Sequence, residues 1–108
     1  MKLNIAKDFS PNPFGRYESD GPNSGERFRE ILQRKLEEAI RRNEHLHVEL
    51  DDVPIGLGSS FLDESFAGLI NQNIFDATVL HKYLIIDTEF PSYETEIWSY
   101  IDEAREKA

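Results

Sequence analysis

Two serines, Ser59 and Ser60, carry the plainest chemical suggestion in this chain. They close the run Leu46-His-Val-Glu-Leu-Asp-Asp-Val-Pro-Ile-Gly-Leu-Gly-Ser-Ser60, in which an apolar-alternating strand ends in Asp51 and Asp52 and a Gly-rich turn follows. An amphipathic helix opens at the serines. A hydroxyl there faces the positive end of a helix dipole, on an exposed turn, which suits a phosphate or a binding partner. Phosphorylation would add about −1.5 to −2 charge, and Asp51 and Asp52 would add like-charge repulsion against a docked partner. The same turn offers Phe61 and Asp63 as partner contacts. Ser60 with Asp63 also reads as an acidic capping box, so one serine has a structural task whatever else it does. The pattern is no nucleophile elbow. Only His81 lies outside the 45–47 region as a further histidine, so no base is in evident reach and no catalytic residue is assigned.

Three other groupings could do chemistry. Asp51 and Asp52 stand at a strand's carboxyl end, where open α/β sheets place ligands, with Asp87 at the next strand end. A magnesium site would use such a set together with a lysine, which no strand supplies. Turn formation through Asx hydrogen bonds is the simpler reading. His45, His47 and Glu49 project on one side of a strand. Two imidazoles and a carboxylate suit a divalent metal, but a hydrated sheet face explains them with less, and no metal ligand is assigned. Arg16 and Arg29, with Gly15, Gly25 and Arg27 between them, could cradle a phosphate beside a helix start. No Walker or dinucleotide motif accompanies them, and no cofactor is indicated.

The elements that must position these groups follow from composition and periodicity. The 108 residues suit a single domain spanning 1–108. A hydrophobic content of 39%, with 11% aromatic residues, supports a modest core despite 31% charged residues. There is no cysteine, which removes disulfides and thiolate chemistry. No apolar run approaches membrane-spanning length, and Met1–Ile5 is too short and mixed for a signal peptide, so a cytoplasmic location is expected. A net charge of −9 disfavours nucleic acid and anionic membrane as partners. Arg34, Lys35, Arg41 and Arg42 interleave with Glu30, Glu37, Glu38 and Glu44, as a solvated helix face does.

Leu3 and Ile5 suggest a first strand. Residues 8–25 are rich in Pro and Gly and read as loop, with Phe14–Glu18 as a short second strand pairing with the first. Asn23 or Ser24 caps a long helix whose stripe runs through Phe28, Ile31, Leu32, Leu36, Ala39 and Ile40 and ends near Asn43. A strand follows at 46–50, a helix at about 60–75, a strand at about 78–87 and a third helix from Pro91 or Ser92 whose last residues fray. The alternation predicts an α/β fold. We expect a small two-layer sandwich with a mixed sheet of about three to four strands and three helices mainly on one face. The open face at His47 and Glu49 could pair two copies as a homodimer.

This order of elements resembles the STAS fold of anti-sigma factor antagonists. The chain is more similar still to the STAS-like domains of unknown function, through Gly15-Arg16, Ser24-Gly-Glu-Arg-Phe-Arg29 and Ser59-Ser-Phe-Leu-Asp-Glu64. The resemblance implies a regulatory protein-binding module of bacterial-type signalling. Its partner would be an ATP-binding anti-sigma-type kinase that phosphorylates the serine at the helix start and so releases the complex. Ser59 matches the phosphorylated position, with Ser60 beside it, and Asp51 and Asp52 match the acidic strand end. The antagonist pattern is Asp-Ser-Ser/Thr-Gly. Here Gly58 stands for its aspartate and Phe61 for its glycine, and the turn is longer, so the register between Ser59 and Ser60 stays open. The 8–25 loop has no counterpart in the simple antagonists.

Overall fold

Three short strands bring the acidic residues to one end of a sheet. They are β1 (Lys2–Asn4), β2 (Leu46–Glu49) and β3 (Leu84–Asp87), hydrogen-bonded in the order β1-β2-β3. This is a computed structural model, and it describes residues 1–105. The expected fraying at the end of the chain lies beyond those residues. Both strand pairs are parallel, with Leu3 opposite Val48 and Val48 opposite Ile86. The sheet is therefore purely parallel, not mixed. In this register Asn4, Glu49 and Asp87 form one row at the carboxyl end.

The period-2 pattern divides the two faces. Leu3, Leu46, Val48, Leu84 and Ile86 are buried, whereas Lys2, Glu49 and Asp87 keep contact with water. The helices cover the first face and leave the second open, as the half-polar strand at 46–50 predicts. The long helix α1 (Gly25–Arg42) buries Phe28, Leu32, Leu36 and Ala39 along one stripe. Ser24 caps it by accepting from the Arg27 N–H, and Asn43 closes it in a left-handed conformation at φ 53°. Glu26, in the first turn, accepts from the Glu18 N–H at 2.9 Å.

The second helix, α2, spans residues 59–71 and is not uniform. Ser59–Leu62 and Gly68–Asn71 are α-helical, and Asp63–Ala67 between them is π-helical. The widened turn has a local cause. The Ser65 hydroxyl donates to the Phe61 carbonyl at 2.7 Å, competing for a backbone acceptor one turn back. Two further helices follow, α3 (Ala77–Tyr83) and α4 (Pro91–Glu103), the latter started by proline at its first position.

One predicted strand is absent and another is shortened. Phe14–Glu18 pairs not with β1 but with the segment that opens α1: the Phe14 N–H donates to Asn23, and the Gly25 and Glu26 N–H groups donate to Gly15 and Arg16. The stretch from Thr78 begins as helix, because Asp76 accepts from the Val79 N–H at 2.9 Å and so starts α3. Only Leu80 of that helix is buried, so its amphipathic period is too short to be read. The strand proper begins at Leu84. The second helix also stops at Asn71 instead of 75, as Asn73 turns left-handed at φ 60°. Among the described residues no helix is long and apolar enough to cross a membrane.

The helices α1 and α2 approach each other closely. A Cβ placed on Gly25 would lie 2.7 Å from the Phe61 carbonyl oxygen, a backbone atom that cannot swing aside. Phe28 stacks on Phe61 at 5.6 Å and meets Phe66 at 6.3 Å, while Phe9 closes the cluster at 5.3 Å from Phe28. Each such ring pair adds about 0.5–1.5 kcal/mol beyond its burial. Gly25→Ala should therefore destabilise the protein by about 1–3 kcal/mol through overpacking. Gly58→Ala, where nothing lies within 4 Å of the new methyl, should leave stability near wild type. Urea unfolding of the two variants checks the contrast, and equal midpoints would contradict it.

Candidate functional site

The Ser59–Ser60 turn forms one wall of a pocket of about 710 Å³. Both serines are exposed, in the first turn of α2. The cap itself is Gly58, at φ −82° and ψ 155°, with no side-chain hydrogen bond to the helix start. The predicted Ser60–Asp63 capping box is thus not formed. Asp63 is drawn instead to Arg16, whose Nη1 lies 2.8 Å from its Oδ2. The opposite wall of the pocket is the loop that carries Phe14, Arg16, Tyr17 and Asp20. Two regions singled out separately in the sequence therefore face each other.

Four charged side chains tie them. Arg16 reaches Asp63 and, at 3.5 Å, Glu64. Arg29 pairs closely with the Glu64 carboxylate and also donates to the Glu64 carbonyl at 3.1 Å. The Arg29 and Glu64 side chains are only 12% and 11% exposed. The Asp63 hydrogen bond raises the Arg16 pKa against a smaller opposing effect of burial. Arg16 and Arg29, candidate phosphate ligands by sequence, are thus matched by two carboxylates of α2. Phe61, a candidate partner contact, is 1% exposed, and its ring belongs to the aromatic core. That expectation is corrected: the Phe14 loop and Ile55 supply the exposed apolar groups at this site, with Phe14 at 67% and Ile55 at 69%.

Ser59 has a second neighbour. The Tyr100 hydroxyl of α4 lies near it and donates to Glu96 at 2.6 Å. The Glu96 bond raises the Tyr100 pKa, and Ser59 partly opposes it. The turn leading into the serines is fixed as well. The Leu57 N–H donates to the Tyr93 hydroxyl at 3.0 Å, with Val53 and Leu57 buried on either side of Ile55. None of Phe14, Tyr17, Ile55 or Tyr93 was assigned a role from sequence. For Phe14 and Ile55 the signal is a large apolar residue held between proline and glycine, in Pro13-Phe14-Gly15 and Pro54-Ile55-Gly56.

Asp51 and Asp52 do not meet the serines. They line a separate pocket of about 370 Å³ with Glu49, Asp87 and Glu89, on the far side of the Val53–Leu57 turn. Asp51 accepts from the Thr88 hydroxyl at 2.6 Å and the Glu89 N–H at 2.7 Å, which fixes the turn after β3. Asp52 accepts from Asn4 at 2.7 Å. These bonds join segments far apart in the chain, so the two carboxylates brace neighbouring turns instead of forming the local Asx bonds expected from the sequence. Among the described residues no three His, Asp or Glu side chains converge as metal ligands, His45, His47 and Glu49 included.

The interlocked segments, Ser24–Arg29 and Ser59–Glu64, both lie inside the match of a family model for the STAS-like domain of unknown function (DUF4325), which covers residues 24–92. This chain belongs to that family. No curated protein and no solved structure matches it. The matched part of this STAS-like domain holds most of the core, both acidic turns and the serine pair. The Phe14 loop, which completes the pocket, lies before it.

Removing one member of a nearly buried ion pair strands the other. Glu64→Met should destabilise this STAS-like domain by about 3 kcal/mol, and Arg29→Met/Glu64→Met should be more stable than Glu64→Met alone. Chemical denaturation of the variants decides this; a double variant weaker than the single one would contradict it.

The Phe14 loop carries its own pH dependence. Asp20 accepts from the Tyr17 and Arg16 N–H groups at 3.0 and 3.1 Å, and these bonds lower its pKa from the ordinary 3.8. A lowered carboxyl stabilises the folded loop above its unfolded pKa and loses that effect as pH falls through the folded one. The Arg16 and Tyr17 amide resonances should therefore shift together only below pH 3.8, and Asp20→Asn should abolish that step. A step at or above that value would contradict the assignment.

Proposed function

We propose that this chain is a cytoplasmic regulatory module that binds a protein partner through the pocket between the Phe14 loop and the Ser59–Ser60 turn. The supporting observation is the juxtaposition itself. Two exposed hydroxyls line one pocket with Phe14, Tyr17 and Ile55, large apolar groups that the fold leaves in water. Such groups are kept at a surface chiefly where something covers them. The role proposed is binding, with no catalysis by this chain. The alternative reading, a metal- or phosphate-binding domain or small enzyme using Asp51, Asp52 and Asp87 or Arg16 and Arg29, has less support. Asp51, Asp52, Arg16 and Arg29 already hold turns and helices together.

The same place suits a switch. A phosphate on Ser59 or Ser60 would sit at the uncapped start of α2, where helix N–H groups and dipole favour it, so the helix can stay folded. Its charge would enter an otherwise apolar docking surface already flanked by Asp20 and Asp63. The family resemblance suggests an ATP-binding anti-sigma-type kinase as both partner and source of the phosphate.

The test is to mix the purified protein with such a kinase and ATP, reading intact mass and pull-down. Wild type should gain one phosphate and be released, whereas Ser59→Ala/Ser60→Ala should stay bound and unmodified. Ser59→Asp or Ser60→Asp should weaken binding about tenfold or more. Unmodified wild type, with all variants captured equally, would sink the switch.

A further inference from the structure

Phe14 and Ile55 are exposed by construction of the backbone. Each follows a proline and precedes a glycine of positive φ, 85° at Gly15 and 77° at Gly56. On the first side, the Phe14 N–H is bonded to Asn23, and Gly15 accepts from the Gly25 N–H. On the other, the Gly56 N–H donates to Val53, and the Leu57 N–H donates to Tyr93. These bonds hold the backbone at both turns in place. The pocket between them, with Tyr17 at 49% exposure, is a standing apolar groove.

The charge around the groove selects what fills it. Arg16 and Arg29 are already matched by Asp63 and Glu64. Asp20, on the groove wall, takes backbone N–H bonds and no ion-pair partner among the described residues. Beyond the Val53–Leu57 turn, five carboxylates line the neighbouring pocket, and Lys7, 3.7 Å from Asp52, is the one cation in contact with them among the described residues. Asp52 and Ile55 are three residues apart, so the two pockets lie within about 11 Å along the chain. One short extended segment can reach both. A second copy is a poor occupant, because each chain carries −9 and a two-fold contact would oppose these carboxylates to one another. Nucleic acid and anionic lipid are repelled for the same reason.

We infer that the groove between Phe14 and Ile55 receives a basic segment of a partner protein, which inserts an aromatic or branched apolar side chain there and sets a lysine or arginine against the Asp51–Asp52 end. This rests on the docking role proposed above and adds the chemistry of what docks.

A random twelve-residue peptide display library, selected against the intact protein, tests it without knowledge of the partner. Enriched peptides should combine Lys or Arg with an aromatic or branched apolar residue. A synthetic copy of the best one should shift the amides of Phe14, Tyr17 and Ile55. Its affinity should fall about tenfold or more for Phe14→Ser/Ile55→Ser and, separately, for Asp87→Asn/Glu89→Gln, each variant melting as wild type does. Raising the salt from about 0.05 to 0.3 M should also weaken it. No enrichment, enrichment of acidic or neutral peptides, or undiminished binding by either variant overturns the inference. So does concentration-dependent dimerisation that Phe14→Ser/Ile55→Ser abolishes, which would give the groove to a second copy. If the kinase still binds while basic peptides do not, this inference fails and the module reading stands.

Discussion

The crossing of α1 over α2 is the constraint on which the rest of the molecule depends. Its centre is the nearly buried Arg29–Glu64 pair, set beside the place where Gly25 lets a helix start come up against the Phe61 carbonyl. Taking two charges out of water is costly, and such a pair contributes little net stability over an apolar one. It does fix register: Arg29 meets Glu64 only if Phe28 falls on Phe61 and Ser65 reaches Gly25. A slide by one helical turn would strand both charges. The widened turn at Asp63–Ala67 belongs to the same arrangement, since Ser65 binds the carbonyl that Gly25 approaches.

The serine turn and the Phe14 loop inherit their places from this crossing. Glu64 and Asp63 are neighbours, so the pair that locks the helices also sets the carboxylate that holds Arg16. Arg16 in turn carries the loop whose Phe14 and Tyr17 face Ile55. The parallel sheet positions the other side: β2 feeds directly into the Asp51–Leu57 turn, with Asp51 tied to the turn after β3. An apolar groove, two hydroxyls and an acidic neighbour are thus assembled from segments far apart in sequence.

How much of this could be read beforehand depended on how many residues shared one period. Phe28, Leu32, Leu36 and Ala39 repeat within an 18-residue helix, so α1 and its Ser24 cap were legible. The alternation at 46–50 revealed β2 and its half-open face. The α3 segment, with Leu80 its one buried residue, offered no period, and its β-branched and aromatic residues read as strand. The serine pair was legible as a helix start, but not its cap. Asp63 looked like a capping partner because local pairing is all that spacing can show; its partner, Arg16, lies 47 residues away. Phe61 looked like a surface contact for the same reason. The groove depends on two Pro-apolar-Gly turns meeting in space, and nothing local to either turn specifies the other.

Amide hydrogen exchange of Glu64→Gln against wild type tests the central claim most directly. If the Arg29–Glu64 crossing holds the site together, residues 14–26 and 59–66 lose protection jointly while β2 and β3 keep theirs. Loss confined to one of those two segments, or spread evenly over the sheet, would contradict the account.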